Sequence, residues 1–377
     1  MSKPRVTPNP VEYTYRAPES ARSGSTAHSI PHPEPISSAT YHIAGILATV
    51  YGLGELDPAV TDVAVLWLLH PRLQTQACMA PFAAHIITNY NATKASSSSR
   101  RKQKGLIAVA FDQRNHGSRL VRAIANEAWR GGNETHAQDM FGCFAGTAVD
   151  TSMLLDYLPA YLFPDNSRQI VQNIVLGISL GGHAAWHVVM HDPRFSAAVV
   201  TIGCPDYVRV MSDRARLSKR EAWLDSDGRE FLGSRDFPSA LVDKVRRVDP
   251  VGLLWHGSGL GRRSGQEQLY DGGELSPEEK ETVIPIMARC LGNKRILNLS
   301  GGSDKLVSYQ HSKPFLDWLK KSIEKGGWFE GSGLYLEDIV YPGVGHEVPP
   351  DMVSDMITFI NETLEEGVEG ARLGSKI

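Results

Sequence analysis

The sequence lacks the features that mark secreted and membrane-spanning proteins. Its four cysteines are scattered and form no C-x-x-C pair (Cys78, Cys143, Cys204 and Cys290). This distribution predicts free thiols in a reducing compartment and argues against a disulfide framework or a zinc ribbon. No stretch approaches the roughly 18 consecutive apolar residues of a membrane-spanning helix, and the N-terminus has no apolar signal-peptide core. We therefore expect neither secretion nor insertion into a membrane.

An excess of basic residues is also missing. The chain has 39 Lys and Arg against 42 Asp and Glu, which leaves a formal net charge of −3. Nucleic-acid-binding proteins usually carry a marked basic excess, so no nucleic-acid partner is expected. The 42% hydrophobic and 21% charged residues are typical of a globular enzyme with a substantial core. The length of 377 residues fits one large α/β domain with an insertion as well as it fits two or three domains.

From residue 39 onward, apolar runs of strand length alternate with apolar patterns of helical spacing. The runs at residues 63–69 and 105–111 are continuously apolar, which is typical of strands buried on both faces of a sheet. Further runs of this length lie at residues 173–178, 196–202, 295–299 and 336–341. The alternation predicts an α/β fold with a mostly parallel sheet and helices on both of its faces.

Three segments depart from this alternation. Residues 1–38 are rich in Pro, Ser and charge and show no periodicity, so we expect a flexible N-terminal arm. The segment 207–290 is charged and Gly-rich, which predicts a cap or lid inserted into a core formed by residues 39–206 and 291–366. Residues 367–377 are predicted to be a flexible tail.

One short motif carries a specific chemical prediction. Residues 177–181 fit the pattern G-x-S-x-G with Ser179 at its centre, a predicted strand directly before it and a helical pattern directly after it. This is the setting of a nucleophile elbow, a tight turn that projects a serine hydroxyl above a sheet. Backbone amides at the start of the following helix stabilise negative charge that develops beside the serine. Ser179 is therefore the predicted nucleophile.

A nucleophilic serine needs a base, and the base needs an acid that orients it. Asp304 follows one late predicted strand and His346 follows the next, so both lie at the edge where open α/β sheets collect their active sites. The order Ser179, Asp304, His346 predicts a catalytic triad. Asp206, which follows the fourth predicted strand, is the rival candidate for the acid.

These segments resemble the α/β-hydrolase superfamily over roughly residues 40–365. The resemblance rests on the glycine-rich elbow, on Asp-Gln-Arg-Asn-His-Gly at 112–117 and on Pro-Gly-Val-Gly-His at 342–346. It implies an α/β-hydrolase fold and an oxyanion hole formed by two backbone N–H groups, those of Leu180 and Arg72. The family often has His-Gly in the loop before the second donor, whereas this chain has proline after His70, so Leu73 is an alternative to Arg72.

A second group of histidines invites a metal interpretation. His183, His187 and His191 share one face of the helix that follows the nucleophile, a spacing that can chelate zinc. No fitting carboxylate or cysteine is evident nearby, and the helix is expected to pack on the sheet. We therefore predict packed histidines and neither a metal site nor an organic cofactor. His116 borders the predicted active site, and a structural role is expected for it.

The last three residues, Ser375, Lys376 and Ile377, resemble the Ser-Lys-Leu peroxisomal address. The expected location is the peroxisome, with a peroxisomal import receptor as partner, and otherwise the cytoplasm. A hydrolase-like chain with this ending also resembles the peroxisomal hydrolases of fungal host-selective-toxin clusters. That resemblance implies a role in making a fatty-acid-derived toxin of the epoxy-decatrienoic acid type.

The leading functional hypothesis is a serine hydrolase that cleaves an ester or thioester. The expected substrate is a small acyl ester or an acyl-CoA, since fatty acyl groups in peroxisomes are handled as CoA conjugates. An acyltransferase would use the same triad and pass the acyl group to an alcohol or amine. A catalytically silent binding module is the third possibility, against which the complete predicted triad argues.

Overall fold

The computed structural model describes residues 7–16, 29–96, 104–256, 260 and 273–366. Within them the β-strands are β1 (Tyr15–Arg16), β2 (Ile30–Pro31), β3 (Ser38–Ile43), β4 (Ile46–Tyr51), β5 (Asp62–Leu69), β6 (Gly105–Phe111), β7 (Gln169–Ile178), β8 (Phe195–Thr201), β9 (Arg295–Gly301) and β10 (Tyr335–Tyr341). The α-helices are α1 (Ala80–Ser96), α2 (His136–Leu162), α3 (Leu180–His191), α4 (Tyr207–Leu217), α5 (Glu221–Leu224), α6 (Ser239–Val248), α7 (Pro277–Leu291), α8 (Tyr309–Ile323) and α9 (Pro350–Glu366). A short π-helical turn covers Gly252–His256.

Eight of these strands form one sheet in the order β3-β4-β6-β5-β7-β8-β9-β10. The hairpin of β3 and β4 pairs antiparallel and β4 pairs antiparallel with β6, whereas every pairing from β6 to β10 is parallel. β5, the strand after the hairpin, lies in the interior of the sheet, and β6 fills the place between β5 and β4 of the hairpin. This is the α/β-hydrolase fold.

The apolar runs of the sequence form the centre of this sheet because helices cover both of its faces. All seven residues of β6 and all but the first residue of β5 are buried. On one face, α1 and α9 pack on side chains such as Leu66 and Leu68 of β5. On the other face, α2, α3 and α8 pack on the alternate side chains, including Trp67. The predicted mostly parallel sheet with two helical layers is confirmed.

The described part of the first 38 residues differs from the flexible arm that we expected. Val11 and Tyr15 pack on the α1–α9 side of the core, and the Tyr15 ring meets Phe82 edge-on at 5.2 Å. The Val348 N–H donates to the Pro10 carbonyl at 2.9 Å, and the Thr14 hydroxyl donates to the Val348 carbonyl at 3.0 Å. These apolar and hydrogen-bonded contacts hold residues 7–16 against the loop that follows β10.

The segment predicted as a cap holds α4, α5, α6 and all but the last residue of a longer helix. That helix, α7, contacts α3 and contributes Val283 and Met287 to the core. The structure thus packs the end of segment 207–290 on the central domain, while residues 257–259 and 261–272 lie outside the described ranges. None of the helices in the described ranges is long and apolar enough to cross a membrane. The predicted tail, residues 367–377, is also outside them.

Candidate active site

Ser179 lies in the turn between β7 and α3, in a backbone conformation that residues other than glycine rarely adopt. Its φ and ψ are 57° and −111°. A Cβ atom on Gly177 would lie 1.9 Å from the Gly181 carbonyl oxygen, and one on Gly181 would lie 2.0 Å from the Leu69 carbonyl oxygen. Both positions therefore require glycine, since the turn packs backbone directly on backbone. Strain of this kind is typical of functional turns that are held by their surroundings.

A continuous chain of hydrogen bonds joins Ser179, His346 and Asp304. The Ser179 Oγ lies 2.9 Å from His346 Nε2, and His346 Nδ1 lies 2.7 Å from Asp304 Oδ2. The other carboxylate oxygen, Oδ1, accepts the N–H groups of Leu306 at 2.8 Å and Val307 at 3.0 Å. The Asp304 side chain is fully buried, so these bonds fix its position. This arrangement suits proton transfer from the serine to the imidazole.

Asp206, the rival acid, has a different place in the fold. It caps the start of α4, where its side chain accepts the Arg209 N–H at 2.9 Å and pairs with the Arg209 guanidinium at 2.9 Å. Burial raises the pKa of Asp206 to about 7, with Asp249 adding to the shift and Arg209 opposing it. None of the bonds of its carboxylate in the described structure reaches His346, so the geometry favours Asp304 for orienting the base.

The two predicted oxyanion donors belong to the start of α3 and to the loop that follows β5. Leu180 is the first residue of α3, and its N–H has no acceptor within the described structure. Arg72 lies in a turn closed by the Gln74 N–H and the Pro71 carbonyl at 3.3 Å. Leu73 in the same turn has a φ of 63°. Arg72 and Leu73 therefore both stay candidates for the second donor.

His70, which the sequence analysis did not single out for a role, supports this turn. Its Nε2 accepts the Gln113 N–H at 2.9 Å, so its Nδ1 carries the proton and donates to the Pro71 carbonyl at 2.8 Å. Burial lowers the pKa of His70 to about 4 and keeps the ring neutral. A histidine directly before a proline has no local signal for this role, which depends on Gln113 from another loop.

The histidines of α3 have separate partners and do not converge. His183 Nδ1 lies 2.9 Å from the Cys204 carbonyl oxygen, His187 Nε2 lies 3.5 Å from Asp249 Oδ1, and His191 Nε2 lies 2.6 Å from the Val248 carbonyl oxygen. Burial lowers the pKa of both His183 and His187 to about 3. Among the described residues, no three or more His, Cys, Asp or Glu side chains come together in a way that could hold a metal ion.

His116 is buried on the His70 side of the site. Its Nδ1 lies 3.0 Å from the Arg114 carbonyl oxygen, and its ring meets the ring of His70 edge-on at 5.4 Å. These contacts fit the structural role expected for His116.

A narrow cleft opens above Ser179, and the N-terminal segment forms one of its walls. It has room for about one water molecule. The cleft is lined by Thr7, Pro8, Pro10, Arg72, Met140, Ser179, Leu180, His183, Arg214, Leu306 and His346. No local pattern in the sequence marks the lining residues before position 11 or the arginine from α4. Contacts with distant residues hold the N-terminal segment here, namely the hydrogen bonds to Val348, the hydrogen bond from Arg72 to Thr7 and the packing of Tyr15 on Phe82.

No protein-family model matches the sequence, and no curated protein matches it. Among solved structures, TT1662 from Thermus thermophilus is similar at 15% identity and a TM-score of 0.48, over 88% of this chain and 99% of that chain. An acylaminoacyl peptidase from Pyrococcus horikoshii is similar at 12% identity and a TM-score of 0.47, over 88% of this chain and 41% of that chain. A propionate-bound thermophilic esterase from the Planctomycetes species Thermogutta terrifontis is similar at 14% identity and a TM-score of 0.43, over 88% and 94%. The strand order by itself identifies the fold of this chain.

Proposed function

We propose that this protein is a serine hydrolase that cleaves an ester or thioester. The observation that carries the proposal is the hydrogen-bond chain from the Ser179 hydroxyl through His346 to the buried Asp304. The strained turn presents the serine at the start of α3, where backbone amides and the helix dipole favour negative charge.

The geometry supports a two-stage reaction. The Ser179 Oγ attacks the acyl carbon while its proton passes to His346 Nε2, and Asp304 holds the other ring nitrogen. The N–H groups of Leu180 and of Arg72 or Leu73 stabilise the oxyanion, each contributing about 2.7–4 kcal/mol to the lowering of the barrier. The proton then passes from His346 to the leaving group. Water deprotonated by the same imidazole releases the acyl group from the serine in the second stage.

A fluorophosphonate probe and a substrate panel test this proposal. We expect the probe to label the protein at Ser179 and p-nitrophenyl esters or acyl-CoAs to be hydrolysed. Absence of both labelling and turnover would favour the silent binding module. Adding an alcohol or amine separates hydrolysis from acyl transfer, because a transferase would form the corresponding ester or amide in place of the free acid.

The proposal extends to location and pathway through the tripeptide at 375–377, which lies outside the described residues. Import receptors read a small, a basic and an apolar residue with a free carboxylate, which Ser375, Lys376 and Ile377 match when the chain ends there. A peroxisomal enzyme would act on acyl-CoA thioesters. The resemblance to hydrolases of fungal toxin clusters adds a fatty-acid-derived toxin precursor as the proposed substrate family.

A further inference from the structure

Two arginines line the catalytic cleft without an acidic partner. Arg72 donates to the Asn126 carbonyl at 2.7 Å and to the Thr7 hydroxyl at 3.0 Å. Arg214 of α4 lies 2.8 Å from the Met140 sulfur and 3.3 Å from the Leu306 carbonyl oxygen. These partners are all neutral, and no carboxylate of the described residues is within ion-pair distance of either guanidinium.

Other arginines in the described structure do have such partners. Examples are Arg114 with Asp150 at 2.8 Å, Arg194 with Asp192 at 2.6 Å and Arg220 with Asp236 at 2.6 Å. The side chains of those three arginines are between one-fifth and one-half exposed to solvent. Arg72 and Arg214 are also only partly buried, so they differ from these three in having neutral acceptors and no carboxylate partner. Buried charges are normally paired, because removing them from water is costly.

The two cleft arginines also act on each other. Burial lowers the pKa of Arg72 to about 10, and the positive charge of Arg214 adds to that shift. His136 lies 3.4 Å from the Arg214 guanidinium, and burial together with both arginine charges holds its pKa well below its usual range. A neutral imidazole therefore faces the pair. The carboxylates of Glu127 near Arg72, and of Asp304 and Asp213 near Arg214, favour the charged guanidiniums but lie beyond ion-pair distance.

An anion bound in the cleft would give the two guanidiniums a negatively charged partner at hydrogen-bond distance. Guanidinium groups match the two oxygens of a carboxylate, with charge-assisted hydrogen bonds stronger than those to neutral acceptors. In this structure the Thr7 hydroxyl accepts a hydrogen bond from Arg72, at a place that a carboxylate oxygen could take. The cleft is narrow, so the group that replaces this hydroxyl must be small and close to the scissile bond.

We propose that Arg72 and Arg214 form an anionic subsite that binds a carboxylate group of the ester substrate beside Ser179. This inference rests on the proposed hydrolase function and narrows its substrate class to esters that carry a second, free carboxylate. Arg214 comes from the predicted cap, so the cap would take part in selecting the substrate.

Two matched esters test the subsite. The 4-nitrophenyl monoester of glutaric acid differs from 4-nitrophenyl pentanoate by a carboxylate in place of the terminal methyl group. After correction for spontaneous hydrolysis, we expect kcat/KM of the wild-type protein to be about tenfold or more higher for the glutarate ester. The measured quantity is the ratio of the two kcat/KM values, which cancels general losses of activity.

Arg214→Met should bring this ratio close to one, because methionine retains the apolar stem and removes the charge. Arg216→Met is the matched control on the same helix, since Arg216 is half exposed and pairs with Asp213 at 2.6 Å. The control should keep the wild-type ratio. A wild-type protein that hydrolyses both esters equally well would overturn the subsite and leave the hydrolase proposal intact. An unchanged ratio in Arg214→Met would also overturn it.

A binding measurement keeps the inference testable without turnover or a folded Arg214 variant. Ser179→Ala is titrated with monomethyl glutarate and with methyl pentanoate, and the melting temperature is recorded. Only the charged ester should raise the melting temperature, and added salt should reduce that rise. Equal shifts with both esters, or none with the charged one, would refute the anionic subsite whether or not the protein is a hydrolase.

Discussion

At the scale of single residues, Ser179 has the clearest expected effect. Ser179→Ala should reduce kcat by a factor on the order of 10⁵–10⁶, because the nucleophile is lost while the rest of the site stays in place. Alanine keeps the Cβ atom, so it occupies the same strained turn and the melting temperature should change little. Turnover and fluorophosphonate labelling are measured together. Retention of more than a few per cent of activity would mean that another group attacks the substrate.

The acid is tested by comparing two aspartates. Asp304→Asn should lower kcat by on the order of 10⁴, because the amide favours the wrong imidazole tautomer. Asp206→Asn should change kcat only modestly, since Asp206 caps α4 and pairs with Arg209. Steady-state kinetics on one activated ester gives both values. The opposite ranking would transfer the role of the acid to Asp206.

The buried His70 should make the free energy of unfolding depend on pH. The unfolded chain protonates this histidine near pH 6.5 and the folded protein only near pH 4, because the ring is buried. Between these values the unfolded state binds more protons, so the free energy of unfolding decreases as the pH falls. The decrease is up to about 1.4 kcal/mol per pH unit for this one group.

His70→Gln provides the comparison, since glutamine does not titrate. Denaturant unfolding of both proteins between pH 7 and 4 should show a shallower loss of stability for His70→Gln. Subtracting the two curves removes the contributions of Asp206 and Asp249, whose raised pKa values act in the opposite direction. Parallel curves would show that His70 keeps an ordinary pKa in the folded protein.

At the scale of elements, the N-terminal segment forms a wall of the cleft and limits its size. Removing residues 1–14 deletes Thr7, Pro8 and Pro10 from the lining and the bonds to Val348. We expect kcat/KM for bulky acyl esters to rise severalfold relative to that for an acetate ester. Thr14→Val, which removes one hydrogen bond, should produce a smaller change in the same direction. A truncated protein with the wild-type preference would show that the segment does not restrict access.

At the scale of the whole molecule, the tripeptide at 375–377 predicts where the protein is found. A fluorescent protein fused at the N-terminus should appear in punctate organelles, and removal of Ser375, Lys376 and Ile377 should make the signal diffuse. Activity in vitro should not change, because Ser179, Asp304 and His346 precede the deletion. A diffuse signal from the full-length fusion in cells with working peroxisomes would contradict the proposed location.

Local patterns in the sequence were sufficient to predict the fold class. The continuously apolar runs that became β5 and β6, and the alternation of strands and helices, depend on burial along short stretches of chain. The positions of Ser179, Asp304 and His346 after three of the parallel strands were equally readable, since parallel strands place their carboxyl ends at one edge. Their proximity in the structure agrees with that placement, and their catalytic role stays a prediction.

The composition of the cleft depended on contacts between distant parts of the chain. The bond of Thr14 to Val348 joins residues 334 positions apart, and the bond of Arg72 to Thr7 links the start of the chain to a loop after β5. Such pairings leave no periodicity or motif, so residues 7–16 looked like a flexible arm. No pattern in the sequence shows that Arg72 and Arg214 have only neutral hydrogen-bond acceptors among the described residues. Only tertiary packing decides which charges share a buried space and which remain without a partner of opposite sign.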